Sequence, residues 1–171
     1  MEAGYQPGGD ISDKIKPWFR VGYFRSTGDG NPNDNVHGTF FQMLPTTRQY
    51  ARFPFFNLMN NEDSFGQVML KPQERLALRT EAHYLRLSSA NDLWYSGGGA
   101  FQEQTFGFTG RPSNGKRSLG ALLDASLDYT ITQRTIFTFY LGVARGGGVE
   151  ATNYPMGDNS RFAYIEYTQK F

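Results

Sequence analysis

The chain has 171 residues, enough for one domain, with 17 Lys plus Arg against 16 Asp plus Glu and no cysteine. The charge balance excludes an electrostatic nucleic-acid surface or a polybasic membrane patch, and the lack of cysteine excludes disulfide frameworks, thiolate metal sites and cysteine nucleophiles. Aromatic residues make up 16% of the chain beside 20 glycines, a pairing that suits rings displayed on a β surface. No run approaches the roughly 18 apolar residues of a membrane helix.

Residues 1–16 are rich in Gly, Pro and Asp and read as a loop leading into the first strand. They have neither the basic start nor the apolar stretch of a secretory leader. The first strand is Pro17–Ser26, with Phe19, Val21 and Tyr23 on one face and Arg20 and Gly22 on the other. A long segment, Thr27–Asp63, follows; Pro45 and Pro54 argue against a regular central strand within it, though Thr39–Phe56 could supply an extra hairpin.

The second strand, Phe65–Lys71, turns through K-P-Q-E-R into a third, Leu76–Leu87, where Leu78, Thr80, Ala82 and Tyr84 alternate with Arg79, Glu81 and His83. A second long loop spans Ser88–Arg117. The fourth strand, Leu119–Thr130, sets Ala121, Leu123, Ala125, Leu127 and Tyr129 against Asp124, Ser126 and Asp128. A tight turn at Thr132–Arg134 leads into the fifth strand, Thr135–Ala144, and a third, shorter loop precedes the last, Arg161–Phe171. That last strand puts Ala163, Ile165, Tyr167, Gln169 and Phe171 opposite Phe162, Tyr164, Glu166, Thr168 and Lys170.

Connections therefore run long, short, long, short, long, which puts every long loop at one end of an up-and-down sheet. Apolar-out and polar-in alternation with that asymmetry predicts an all-β, antiparallel transmembrane β-barrel with long external loops and short periplasmic turns. Six strands fall short of the roughly eight that a barrel needs, and open edges in lipid cost several kcal/mol per unpaired backbone group. The expectation is an incomplete, open barrel whose missing strands lie upstream in a longer protein. The alternatives are a soluble β-sandwich or barrel acting as a binding module and an outer-membrane barrel hydrolase.

The strings P-W-F-R-V-G-Y-F-R-S-T-G-D-G-N-P-N-D-N, F-F-Q-M-L-P-T, Y-A-R-F-P-F-F-N-L-M-N-N-E-D, H-Y-L-R-L-S-S-A-N-D-L-W-Y-S-G-G-G and G-F-T-G-R-P-S-N-G occur in this order. With the aromatic-ended last strand they resemble the alginate-export family of outer-membrane barrels, from about Pro17 to the end and over the C-terminal portion of that barrel. The resemblance implies a bacterial outer-membrane location, and a single-chain channel passing an anionic, alginate-like polysaccharide or related solutes without cofactor or covalent chemistry. It also implies contact with outer-membrane lipid, and with the barrel-assembly machinery through the C-terminal strand. Gln169 departs from the pattern, standing where such barrels carry an aromatic or apolar residue two before the terminal Phe.

By strand parity the lumen-facing groups are Arg20, Lys71, Arg79, His83, Glu81, Asp124, Asp128 and Glu166. Cationic side chains there would lower the barrier for carboxylates, or the charges would pair across strands and stiffen the wall. Trp18, Tyr23, Tyr84, Tyr129, Tyr167 and Phe171 are expected in interfacial girdles. Asp29 and Asp34 lie in a G-D-G-N-P-N-D-N loop that superficially resembles a calcium loop, but no bidentate Glu follows, so no metal site is expected. Gly110–Arg117 nearly spells a phosphate-binding loop and fails at Arg117, where Ser or Thr is required.

Overall fold

The computed structural model describes residues 1–31, 33–42, 57–97 and 108–171. Seven strands form one antiparallel sheet in the order β1-β2-β3-β4-β7-β8-β9. They are β1 (Glu2–Tyr5), β2 (Trp18–Arg25), β3 (Asn61–Gln73), β4 (Leu76–Leu87), β7 (Ser118–Thr132), β8 (Thr135–Gly146) and β9 (Asn159–Gln169). A separate hairpin pairs β5 (Trp94–Gly97) with β6 (Phe108–Arg111), and two six-residue helices are α1 (Asp10–Ile15) and α2 (Gly148–Asn153). The sheet is not closed: β1 and β9 are its edges. The expected open, up-and-down architecture is therefore present.

Each strand of the main sheet obeys the two-residue alternation, so partners in register share a face. The row Val68, Thr80, Ala125, Leu141, Ala163 and the row Leu70, Leu78, Leu127, Phe139, Ile165 lie on one side of the sheet. Nothing described covers that side: Leu123 is 54% exposed, Leu141 57% and Ile165 70%. A soluble sandwich would bury these side chains under a second layer.

The opposite face carries Gln67, Glu81, Asp124 and Gly142 in one row and Met69, Arg79, Ser126 and Tyr140 in the next. Beyond the register shift between Leu70 and Gln73, β3 turns into β4 through Glu74 and Arg75. Gln133 and Arg134 join β7 to β8, so both turns at that end are two residues long. There Thr132 Oγ1 donates to Thr135 Oγ1 at 2.9 Å and accepts from the Arg134 amide at 3.2 Å.

Several elements differ from expectation. Residues 1–16 contain β1 and α1 rather than a bare loop, because Glu2–Tyr5 pairs with Phe19–Gly22. Asp10 and Asp13 favour the first turn of α1, and Lys16, at φ 45° just before Pro17, ends it. Strand β3 begins at Asn61 instead of Phe65, since Asn61–Ser64 continue the ladder to both β2 and β4 despite their polarity. Strand β9 stops at Gln169, leaving Lys170 and Phe171 beyond it, although the Lys170 amide still donates to the Arg134 carbonyl at 2.8 Å. Of the Thr39–Phe56 hairpin suggested by sequence, residues 43–56 lie outside the described residues.

Two glycines fix how the long-loop end is built. Gly120 sits at φ +147°, beside the irregularity between Leu85 and Arg86, and a Cβ there would run into the Arg145 carbonyl. Gly147 packs against Ser118, so the Gly146–Gly148 run is a close approach between strand ends and not simply a flexible link. Gly120→Val is expected to lower stability by about 1–3 kcal/mol in chemical denaturation of the membrane-folded protein. Gly66→Ala, at a position where a Cβ meets nothing, should change it by less than about 0.5 kcal/mol.

Candidate functional site

The inner face is organised by carboxylates that the strands bury in rows. Glu81 on β4 is 2% exposed. It accepts from Gln67 Nε2 through Oε1 and from Arg79 through Oε2. His83, two residues on and so on the same face, holds Nδ1 2.9 Å from Asp63 Oδ2 and Nε2 4.0 Å from Glu81 Oε2. Its ring stacks on Phe65 at 5.6 Å, and the Arg20 guanidinium lies over that Phe65 ring at 5.1 Å. Asp63, His83, Glu81, Arg79 and Gln67 thus form one continuous cluster across β3 and β4. A buried carboxylate needs such partners in place of lost water, and this cluster supplies them.

On the neighbouring strands the pattern repeats with hydroxyls. Tyr140 donates to Asp124 Oδ2 at 2.7 Å, and Thr138 donates to Asp128 Oδ1 at 2.6 Å. At the β1 edge of the same face Arg20 donates to Glu2 Oε2 at 2.7 Å. Tyr140 also stacks on Tyr164 at 4.9 Å. The result is a stiff, hydrogen-bonded polar wall, well suited to line a water-filled space.

Loops close over this wall at the long-loop end. Trp94 of β5 and Val149 of α2 pack with Leu85, Leu87, Leu119, Leu122 and Ala144 in a small apolar cluster. Asp92 ties the first and second long loops together: its Oδ2 accepts from the Asp29 amide at 2.8 Å and from Thr39 Oγ1 at 2.5 Å. Its Oδ1 accepts from the Tyr95 hydroxyl at 2.9 Å. Burial and the adjacent Asp92 carboxylate push the Tyr95 phenol up to about 12.

The sequence profile of a family described as alginate export matches residues 2–156. The chain belongs to the alginate-export family. The family is one of outer-membrane polysaccharide export channels and not of enzymes. No curated protein matches the chain. The match takes in β1 and α1, upstream of the Pro17 start suggested by sequence resemblance, and ends before β9. Among the described residues no helix is long and apolar enough to cross a membrane.

Of the residues singled out by sequence, Arg20, Arg79, Glu81, His83, Asp124, Asp128 and Glu166 share the face opposite the aliphatic rows. Lys71 is exposed near the short-turn end, where it lines a groove with Glu74, Arg75, Asp128 and Thr138. Tyr23, Tyr84, Tyr129 and Tyr167 are all exposed on the face that carries the aliphatic rows. Trp18 is not on that face. That residue pairs with Met69 on the inner face and its ring lies against Gly4, because parity, and not ring chemistry, decides its side. Phe137, 5.1 Å from Tyr167, completes the aromatic row at the short-turn end, and Phe171 stands exposed past the end of β9.

Asp29 and Asp34 serve loop geometry: Asp29 Oδ1 accepts from the Asn31 amide at 2.9 Å, and Asp34 Oδ1 accepts from the Val36 amide at 2.9 Å. Among the described residues no group of three or more acidic, His or Cys side chains gathers around a point where a metal could sit. Gly110 and Arg111 of the near phosphate loop belong to β6, and the following turn carries Asn114 at φ 54° and Gly115 at φ 71°. No helix follows to aim amides at a phosphate.

Sequence reasoning missed Asp63, Gln67 and Glu150. Asp63 and Gln67 were visible as same-parity partners of His83 and Glu81 once β3 is extended to Asn61. Glu150 had no periodic signal because α2 is a single short turn in a loop. Its carboxyl is 4% exposed and faces a small groove lined by Trp94, Ser96, Tyr154 and Asp158. Burial pushes it up to about 8, Asp158 adds in the same direction, and a backbone hydrogen bond from Gly147 opposes them.

A carboxyl raised in the folded state favours folding only while protonated. Its contribution is full below the ordinary value of 4.5 and is lost as pH rises to about 8. Hydrogen exchange at the α2 amides of Ala151 and Tyr154 should therefore lose protection between about pH 5 and about pH 9 beyond the intrinsic rate change. Glu150→Gln should remove that extra loss; an unchanged profile in the variant would place the titration elsewhere.

Proposed function

We propose that the chain is a wall segment of an outer-membrane channel through which an anionic, alginate-like polysaccharide or a related solute passes by diffusion. The two-faced sheet carries this conclusion: one side presents uncovered aliphatic rows of the kind that face acyl chains, and the other presents hydrogen-bonded carboxylates, His, Arg and hydroxyls of the kind that line water. Placing the long loops outside and the two-residue turns in the periplasm follows the rule for such barrels. The edges β1 and β9 need strands to pair with, from the same protein or another copy, because unpaired backbone costs several kcal/mol per group in lipid. Strand β9 is the natural contact for the barrel-assembly machinery. The inner groups support positioning and permeation, and no reaction or cofactor is implied.

Electrostatics refine the path. Among the described strand residues of the inner face, Glu2, Asp63, Glu81, Asp124, Asp128 and Glu166 outnumber Arg20, Lys71 and Arg79. Arg20 and Arg79 are each bound to a carboxylate, so they offset wall charge as much as they attract solute. This surplus of acid favours a second reading, in which the solute crossing this part of the wall is neutral. Cations contributed by the remaining wall would restore the first.

Planar-bilayer recordings of the full-length protein test both. Current blockades by oligouronates support the anionic solute, and blockades by neutral oligosaccharides alone select the second reading. Absence of conductance rejects a channel. In reversal-potential measurements, Glu81→Gln should raise the anion-to-cation permeability ratio about two- to fivefold for its one unit of charge, and Arg79→Glu, a change of two units, should lower it by more. No shift in either variant would put this cluster outside the conducting path.

A further inference from the structure

Charge on the outer face is confined to one end. Among the described strand residues that point outward, the charged ones are Arg25, Glu62, Arg86, Arg145 and Arg161, and Arg117 joins them immediately before β7. All sit toward the long loops. The outward positions at the short-turn end, Leu76, Tyr129, Phe137 and Tyr167 among them, carry no charge.

Glu62 is the anchor of the set. It is 3% exposed and meets three guanidinium groups: Arg25 at 3.4 Å, Arg117 at 3.0 Å, and Arg86. Arg86 also meets the Tyr23 side chain, which ties the basic group to the aromatic residues just below it. Three cations on one carboxylate leave a net charge of about +2, and of the five N–H donors of each planar guanidinium, Arg117 spends one more on the Leu87 carbonyl at 2.8 Å and Arg86 meets Tyr23 as well. All three arginines are exposed.

Arg145 and Arg161 extend the group sideways. In register Arg145 lies one outward row, and Arg161 two outward rows, nearer the short-turn end than Arg86. A barrel strand tilted at roughly 40° makes neighbouring residues of equal height drift by about one residue per strand. Across β4, β7, β8 and β9 a drift of that size toward the short-turn end would offset these one and two rows and bring the arginines to a common level.

We propose that this arginine belt binds the phosphate groups of phosphorylated glycolipid, lipid A in type, in the outer leaflet around the protein. The belt lies at headgroup height on the lipid-facing surface, where neither the polysaccharide nor a soluble solute in the lumen reaches it. Its chemistry, several planar bidentate donors with one buried organising acid, suits phosphate monoesters. Acyl chains of the same lipid would lie down the rows of Leu123, Leu141 and Ile165. The inference rests on the reading of the sheet as a membrane wall with its long loops outside.

Native mass spectrometry of the full-length, detergent-purified protein tests it with three lipids: bisphosphorylated lipid A, the same lipid dephosphorylated, and phosphatidylglycerol. Retention of the first well above the other two, undiminished by inorganic phosphate, is the expected result. Arg145→Gln/Arg161→Gln leaves the Glu62 pairs intact and should weaken that retention by roughly tenfold. Equal retention of phosphorylated and dephosphorylated lipid A by correctly folded protein overturns the proposal and leaves the channel intact. Equal retention of phosphatidylglycerol overturns the assignment to glycolipid. A protein recovered folded in water without detergent overturns the membrane wall, and this belt with it.

Discussion

In hydrocarbon a backbone amide in a sheet has no partner but another strand, so a sheet of an outer-membrane family is held by its ladders before any side chain contributes. The sheet from β2 to β9 meets that constraint by pairing each strand along nearly its full length. Once the ladders are set, register dictates everything else: a residue's side is decided by odd or even position, and a slip of one would exchange oil for water along a whole strand. The buried polar cluster adds to this selection. Gln67, Glu81, Asp63 and His83 find one another only in the observed register, and in a slipped register their charges would face acyl chains.

The two faces of the sheet divide the charge. On the face of Glu81 and Asp124 carboxylates are in excess and are held by neighbours. On the opposite face arginines are in excess toward the long-loop end, three of them around the buried Glu62. Near-neutral net charge in the sequence conceals this separation completely, because the two populations cancel in the sum while lying on opposite faces of the same sheet.

How much was legible in the sequence follows from the same parity. Strand β4 is visible to the residue, since Leu76–Leu87 alternates cleanly between turn signals at both ends. The bounds of β7, β8 and β9 are visible to within two residues. Strand β1 and helix α1 were hidden in a Gly- and Pro-rich stretch whose pairing is decided by β2, not by its own propensity. The polar start of β3 was hidden because Asn61–Ser64 looks like loop until its partners are known. Trp18 was placed by chemistry where counting from Arg20 would have placed it correctly. The arginine belt was legible in principle, as outward parity at strand ends, but Arg117 and the Glu62 anchor required the loops to be in place. Glu150, buried by a tertiary contact of a loop helix, leaves no local trace at all.

Because the chain contains no cysteine, single cysteines can be placed without background to ask which side of the sheet meets lipid. Nitroxide labels at Leu141→Cys and Asp128→Cys, in the full-length protein reconstituted in bilayers, report collision with oxygen dissolved in the acyl chains and with a water-soluble nickel chelate. The label at 141 should relax with oxygen and ignore nickel, and the label at 128 should do the reverse. Equal access of both labels to nickel, or a label at 141 shielded from both reagents under a second protein layer, would contradict the assignment of the sheet to a membrane wall.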